Sequence, residues 1–316
     1  MGEAESTASG GRGDSQPDVW GSGGVADAGA AGTPHRHASV LPDGVASARM
    51  IASDLDGTML ATDKTISPRT RAALVAAHDA GIVIVVATGR QLSTLPEGLD
   101  ELPVDYIVAS NGSLAYRPAD SAQAGEVLFT ELIQPDTLAA ISAYLEAHVP
   151  GALLGAARGD GTDFVSEPGY LGLMSDGEKV HDGRHHLVAP RAQIVGEPAL
   201  KLSARHPRLS SDDLLAILDA SGLPGFAATT SFAPFVEIAA EGVTKATGLA
   251  RLCSMLGIDR TDVVAFGDAK NDIEMVSWAG CGVAMAYAAP ELVAVADAQT
   301  ASCDDDGVAR VVEQLL

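Results

Sequence analysis

Three runs in this chain are apolar almost throughout and end on a polar group: RMIASDLD at 49–56, IVIVVATGR at 82–90 and DVVAFGD at 262–268. A strand with one wet face alternates apolar and polar residues, so an unbroken apolar run marks a strand buried on both faces. DYIVASNG at 105–112 is a fourth such strand. Between the first two lies SPRTRAALVAAHDAG (67–81), which reads as a helix with Ser67 as N-cap, Pro68 at its first position and Gly81 as its stop. The same pattern returns late. TKATGLARLCSMLG (244–257) and NDIEMVSWAG read as helices, CGVAMA (281–286) as a strand and GVARVVEQLL as the last helix. Strand, helix and strand in succession predict an α/β fold, a parallel sheet covered by helices on both faces.

The middle of the chain is written differently. Helices are predicted at 135–147 and about 210–221, the second entered through Ser211-Asp212-Asp213, with a shorter strand in PALKLSARH (198–206) and loops rich in glycine and charge. This predicts an α+β insertion over 120–228, interrupting a sheet domain made of 48–119 and 229–316. Residues 1–47 are rich in Gly, Ala, Ser, Pro and Asp without apolar periodicity and are expected to be a disordered extension. GRGDS at 11–15 holds an adhesion-type tripeptide, read as chance because no export signal accompanies it.

At 47% hydrophobic and 4% aromatic, the core must be built from Ala, Val, Leu and Ile. No window approaches the roughly 18 to 20 apolar residues of a membrane span. Cys253, Cys281 and Cys303 form no C-x-x-C pair, which with the missing signal points to the cytoplasm. The net charge of −22 repels nucleic acid and anionic membranes, so neither is expected as a partner. It repels phosphorylated compounds too, so a phosphate site would need strong local positive charge.

Ligands of open parallel sheets bind at the carboxyl ends of the strands. Asp54 and Asp56 stand at the first such end, Thr88 at the second and Asp268 at the late one, with Asn271 and Asp272 just beyond and Lys245 opening a helix. Two carboxylates so close disfavour each other's ionisation, and a cation would offset this. Asp54, Asp56 and Asp268 offer the hard oxygens that suit Mg²⁺. A carboxylate can attack phosphorus, and a second one can protonate the leaving alkoxide and then deprotonate water. Lys245 and Thr88 can bind the equatorial oxygens of a transferring phosphoryl group, and Gly57 lets backbone approach it. Each residue alone has an ordinary reading: a turn for the aspartates, an exposed helix residue for Lys245, a satisfied hydroxyl for Thr88, a surface ion pair for Arg90. It is the convergence that carries the chemistry. No G-x-x-x-x-G-K-[ST] loop is present, which argues against a P-loop kinase. Cys253 and Cys281 read as core. His181, His185 and His186 cluster in the insertion beside DGR, a loop rather than a metal site. These histidines, or Arg158, Asp160 and Tyr170, are open candidates for reading a substrate.

DLDGT, VVATGR, GVTKATGL and GDAKNDIEM resemble, in order and spacing, the four motifs of the haloacid dehalogenase superfamily. The chain is most similar to its Cof-like phosphatases, which carry a type IIB cap between the second and third motifs. SNGSLAY (110–116), SFAPFVEIAAEGVTKATGLARL (231–252) and DDDGVARVV (304–312) extend the resemblance over 49–316. It implies a Rossmann-like core with an inserted cap. Asp54 would be the nucleophile and a Mg²⁺ ligand, and Asp56 the general acid and base with its carbonyl on the metal. Asp268 would be a further ligand supported by Asp272. Thr88 and Lys245 would bind phosphate, and Asn271 would touch phosphate or the shell behind it. The implied activity is hydrolysis of a small phosphorylated metabolite, such as a sugar phosphate, through an aspartyl-phosphate. A phosphomutase sharing that intermediate, or a non-catalytic phosphometabolite sensor, are the alternatives. No protein partner can be read. The chain departs from the pattern at Ala286-Tyr287-Ala288, where Gly-Asn-Ala is usual, and the tyrosine is expected near the mouth of the site.

Overall fold

The structure is a computed structural model that describes residues 48–96, 98–174, 186–231 and 233–316. The expectations for residues 1–47, and for His181 and His185, lie outside the described residues. In chain order the elements are β1 (Met50–Ser53), α1 (Pro68–Asp79), β2 (Val83–Ala87), β3 (Tyr106–Ala109), β4 (Leu114–Arg117), β5 (Glu126–Thr130), α2 (Pro135–His148), β6 (Leu153–Arg158), β7 (Asp163–Ser166), β8 (His186–Val188) and α3 (Arg191–Val195). Then come β9 (Lys201–Arg205), α4 (Ser211–Asp219), β10 (Phe226–Thr229), β11 (Val236–Ala240), α5 (Lys245–Leu256), β12 (Val263–Gly267), α6 (Ile273–Trp278), β13 (Cys281–Ala284), α7 (Pro290–Val293), β14 (Ala298–Gln299) and α8 (Gly307–Val312).

Eight strands form the core sheet in the order β14-β13-β12-β1-β2-β3-β4-β5. Its central strands β13, β12, β1, β2 and β3 are buried on both faces, as their unbroken apolar runs require. Ile51, Ile84, Val86, Val264 and Phe266 pack with α1 and α8 on one side. Met50, Ala52, Val85, Val263 and Ala265 pack with α5 and α6 on the other. The helix ends follow their sequence signals. The Ser67 side chain accepts from the Thr70 N–H, Thr244 and Thr247 form a capping box on α5, and Gly257 closes α5 in the left-handed region at φ 64°.

The sheet is not parallel throughout. β4 alone runs against the other strands, antiparallel to both β3 and β5, because only the short turn around Ser110–Gly112 separates β3 from β4 and a parallel return needs a long crossover. Sheet membership also moves the edges of the insertion. β5 belongs to the core sheet and β11 to the second sheet, so the chain leaves the core after Thr130 and returns after Ala240, not at 120 and 228. Pairing decides this, and composition does not register it.

The second sheet, β10-β11-β9-β6-β7-β8, is the cap. It is antiparallel except where β7 meets β8. Its strands alternate. Leu202, Ala204, Val236, Ile238 and Val165 pack under α2, α3 and α4. The residues between them, Lys201, Ser203, Arg205, Glu237 and Phe164, face the carboxyl ends of the core strands across a shared cavity. Among the described residues, no helix is long and apolar enough to cross a membrane.

Candidate active site

Asp54 continues β1 by one residue, its N–H donating to the Phe266 carbonyl of β12 at 3.0 Å. That ladder bond fixes the carboxyl at the point where the strand ends. Lys245, at the first turn of α5, is wholly buried and donates from Nζ to Asp54 Oδ1 at 2.8 Å and to Asp272 Oδ1 at 2.6 Å. Asp272 Oδ2 accepts from the N–H groups of Asp268 (3.1 Å) and Ala269 (3.0 Å). Thr58 Oγ1 donates to Asp268 Oδ1 at 2.9 Å. Gly57 has φ 79°, and a Cβ there would lie 2.3 Å from Asp268 Oδ2, so the position admits only glycine. The close backbone approach expected of Gly57 is thus made to Asp268.

One oxygen each from Asp54, Asp268 and Asp272 lies within 4.8 Å of the other two. Three carboxylates face one lysine, which leaves two negative charges if all ionise. The imbalance is visible in the acidities. Burial, with the charges of Asp272 and Asp268, raises Asp54 well above the carboxylate range despite Lys245. Burial and the Asp272 charge push Asp268 up to about 7. Burial opposes the Lys245 charge, yet Asp272 and Asp54 hold the ammonium above the ordinary lysine range. A dication would balance this set, and the donors are all hard oxygens with no imidazole or thiolate among them. Both oxygens of Asp272 are engaged, whereas Asp54 and Asp268 each keep Oδ2 without a hydrogen bond among the described residues. Asp272 therefore fits the role of orienting Asp268 and Lys245.

The Asp56 side chain points elsewhere. Arg90 clasps it with two bonds, Nε to Oδ2 at 2.6 Å and Nη2 to Oδ1 at 2.8 Å, and Lys64 Nζ adds a third at 2.9 Å. Partial burial works against its charge, but Arg90 and then Lys64 hold the carboxyl well below its usual range. The acid that Arg90 pairs with is thus Asp56, which lines the cavity. Thr88 is buried at the end of β2 and lines the cavity, its Oγ1 accepting from the Arg90 N–H at 3.1 Å. Asn271 also lines it. Its Nδ2 donates to Asn111 Oδ1 at 3.0 Å, and its buried Oδ1 has no partner.

The cavity holds about 740 Å³ and is closed on its far side by the cap. Lys201 Nζ of β9 donates to the Gly89 carbonyl at 2.7 Å and to Glu237 Oε1 of β11 at 2.7 Å, and Ser231 Oγ donates to Glu237 Oε2 at 2.6 Å. Burial opposes the Glu237 charge, but Lys201 holds the carboxyl below its ordinary value. Lys64, Arg90, Lys201 and Arg205 line the cavity together with Asp54, Asp56, Glu237 and Asp268, so cations stand at its wall without making it positive as a whole.

Of the open cap candidates among the described residues, Tyr170 lines the cavity and Arg158, Asp160 and His186 do not. Arg158 pairs with Glu197 and backbone carbonyls, Asp160 caps its own turn through Thr162, and His186 bonds Ser166. Tyr287 is 86% exposed and does not line the cavity, so the departure there lies outside the mouth of the site. Sequence reasoning missed Lys201, Glu237, Thr58 and Asn111. The signal for Lys201 was present: KLSAR alternates polar and apolar, which marks a strand with one face toward something polar.

The sequence matches the family described as haloacid dehalogenase-like hydrolase over residues 51–312. The HMP-PP phosphatase of Cronobacter sakazakii is 29% identical over 269 residues, covering 78% of this chain and 87% of that protein. The 5-amino-6-(5-phospho-D-ribitylamino)uracil phosphatase YitU of Bacillus subtilis is 28% identical over 281 residues, covering 84% and 96%. The solved structure of a haloacid dehalogenase subclass IIB sugar phosphatase superposes with a TM-score of 0.71 at 22% identity, over 85% of this chain and all of that one.

Proposed function

The chain belongs to the haloacid dehalogenase-like hydrolases, and from that premise we propose that it is a Mg²⁺-dependent phosphatase. Its substrate is a small phosphorylated metabolite, and its intermediate an aspartyl-phosphate on Asp54. The observation that carries this reading is the charge imbalance of Asp54, Asp268 and Asp272 against Lys245 at the floor of the cavity. Mg²⁺, held by Asp54, Asp268 and the Asp56 carbonyl, would neutralise the carboxylates and draw charge from the phosphoryl group.

The chain's own residues then divide the work. Thr88, Lys245 and Asn271 hold the phosphoryl oxygens, the last through the second hydrogen of Nδ2, whose first goes to Asn111 Oδ1. An oxygen of Asp54 attacks phosphorus as the bond to the leaving oxygen breaks, and Asp56 delivers the proton that this alkoxide takes up. Water next attacks the aspartyl-phosphate and gives its proton to Asp56, and phosphate leaves Asp54. Arg90 and Lys64 hold Asp56 ionised, the form that accepts the proton from water. Delivering a proton requires Asp56 to leave the guanidinium, and an arriving phosphate anion competes for that same group. The cap, joined to the loop after Thr88 by the Lys201 bond to Gly89, keeps bulk water out and shapes the space for the leaving group.

The two phosphatase relatives are named for different phosphorylated compounds, so identity at 28–29% does not carry a substrate across. The free thiols Cys253, Cys281 and Cys303 suit a cytoplasmic enzyme. Phosphate release from a panel of phosphomonoesters, with Mg²⁺ and with chelator, tests the reading. Release that depends on Mg²⁺ is expected. Isomerised sugar phosphate in place of free phosphate, or release indifferent to the metal, would contradict it.

A further inference from the structure

Among the described residues, four that are not glycine hold a backbone in the left-handed region, and two of them are neighbours: Ser110 at φ 51° and Asn111 at φ 57°. Gly112 follows at φ 104°. Asparagine tolerates this region, whereas serine enters it at a cost. The turn is also buried, and the Ser110 hydroxyl has no hydrogen bond among the described residues. Strain of this kind persists only where the surroundings over-determine it, and it gathers at functional sites.

What surrounds this turn is the set of groups assigned to the phosphate. The Ser110 N–H donates to the Arg90 carbonyl at 2.9 Å and the Asn111 N–H to the Thr88 carbonyl at 3.0 Å. The two strained residues thus pin the loop from Thr88 to Arg90 at both ends. Gly112 presses on the start of α5, where a Cβ would lie 2.1 Å from the Thr244 carbonyl oxygen and 3.3 Å from the Lys245 nitrogen. The Asn111 side chain takes the third group, its Oδ1 accepting from Asn271 Nδ2 at 3.0 Å. Thr88, Lys245 and Asn271 come from three distant segments, and this one turn touches the seat of each.

Asn271 depends on the turn most. Thr88 is held by strand pairing, its N–H donating to the Val108 carbonyl at 2.8 Å, and Lys245 by its two ion pairs. A side-chain amide can face either way. A phosphate dianion offers only acceptors, so it must meet the Nδ2 end. The Asn271 Oδ1 is buried without a partner, so the Asn111 bond is the described contact that decides which way the amide faces. Asn111 does not itself line the cavity. We infer that Asn111 is a positioning residue: its Oδ1 holds the Asn271 amide with the second Nδ2 hydrogen turned to the phosphate, and the strained turn is what sets Asn111 there. This rests on the phosphatase reading and adds to it a residue that acts from behind the site.

The test is a double-mutant cycle on the full chain with Mg²⁺, read as the calorimetric Kd of inorganic phosphate and as kcat/KM for p-nitrophenyl phosphate. Asn271→Ala should weaken both by about 10- to 100-fold, the loss of a hydrogen bond to a charged group. Asn111→Gly leaves the left-handed backbone at ease and should weaken both about tenfold. Added to Asn271→Ala, it should cost nothing more, because the group it positions is gone. A merely structural role would add its loss in full to the double variant. That result would overturn the inference, as would Asn111→Gly binding phosphate as the native protein does. A second measurement keeps the inference open to refutation if Asn111→Gly does not fold. In isotope-labelled native protein, the Asn271 side-chain amide is identified in nuclear magnetic resonance spectra by its absence from Asn271→Ala. One of its hydrogens should exchange slowly before phosphate is added, and the other should shift when phosphate binds. Two hydrogens that exchange alike, or neither shifting, would overturn the inference. If no ester is hydrolysed, the phosphatase reading fails instead, and the Kd cycle still decides: the same lack of additivity supports the inference, and additive losses or absent binding overturn it.

Discussion

The two walls of the cavity are built on opposite electrostatic principles. The core wall is unbalanced, with three buried carboxylates against one buried lysine. In the cap wall the buried pair is balanced, since Lys201 meets Glu237 and Ser231 satisfies the other Glu237 oxygen. An unbalanced wall is incomplete without its ligands and so can do chemistry on them. A balanced wall is complete by itself and discriminates by shape. The difference also divides what substitution should do on each side.

The largest effect is expected in the core. Lys245→Met leaves Asp54 and Asp272 buried without their cation, which should cost about 3–5 kcal/mol of stability. In protein that still folds, turnover should fall about 10²- to 10³-fold, the loss typical of one lost transition-state donor. Thermal unfolding and phosphate release check the two parts. The metal should act on this wall alone. At a hundredfold excess over its Kd, Mg²⁺ should stabilise the native protein by about 2.7 kcal/mol. Asp268→Asn should lose most of the resulting rise in Tm, and Glu237→Gln should keep it.

On the cap side, Lys201→Met leaves Glu237 buried and unpaired, and about 3 kcal/mol should be lost. Here a second change should restore what the first removed. Lys201→Met with Glu237→Leu is expected to recover most of the Tm, because a balanced pair can be exchanged for apolar packing. No second substitution of that kind should rescue activity in Lys245→Met. If the cap double variant stays as unstable as Lys201→Met, the comparison of the walls fails.

The Glu237 pair also has a pH signature. The folded carboxyl lies below its ordinary 4.5, so its contribution is full above that value and is lost as pH falls through the folded value. Below pH 4.5 the native protein should therefore lose stability more steeply than Glu237→Gln, as acid titration followed by circular dichroism would show. The smallest effect belongs to Tyr287→Asn. At 86% exposed and away from the cavity, that side chain should change neither Tm nor turnover measurably.

The walls also differ in how far they could be read from sequence. In the core, backbone geometry and chemistry coincide: a strand that must be apolar on both faces can place polar groups only at its end. Asp54, Thr88 and Asp268 stood out for that reason, and Lys245 through the order of the motifs. The cap does not follow that rule. KLSAR has the alternation of any half-buried strand, and nothing local says that its polar face meets a cavity instead of water. Glu237 was hidden further, because its strand was assigned to the core. The reversal of β4 and the edges of the cap depend on which strand pairs with which, a property of distant segments. Arg90 lay in plain view beside Thr88, but its partner Asp56 is 34 residues away, and a surface acid was the simpler choice.

The central claim is that Asp54 takes the phosphoryl group. The direct measurement is acid quenching of the protein during turnover, followed by peptide mass spectrometry. A phosphoryl adduct labile to hydroxylamine should appear on the peptide bearing Asp54 and be absent from Asp54→Asn. Phosphate released with no adduct at Asp54, or Asp54→Asn turning over at the native rate, would contradict the account.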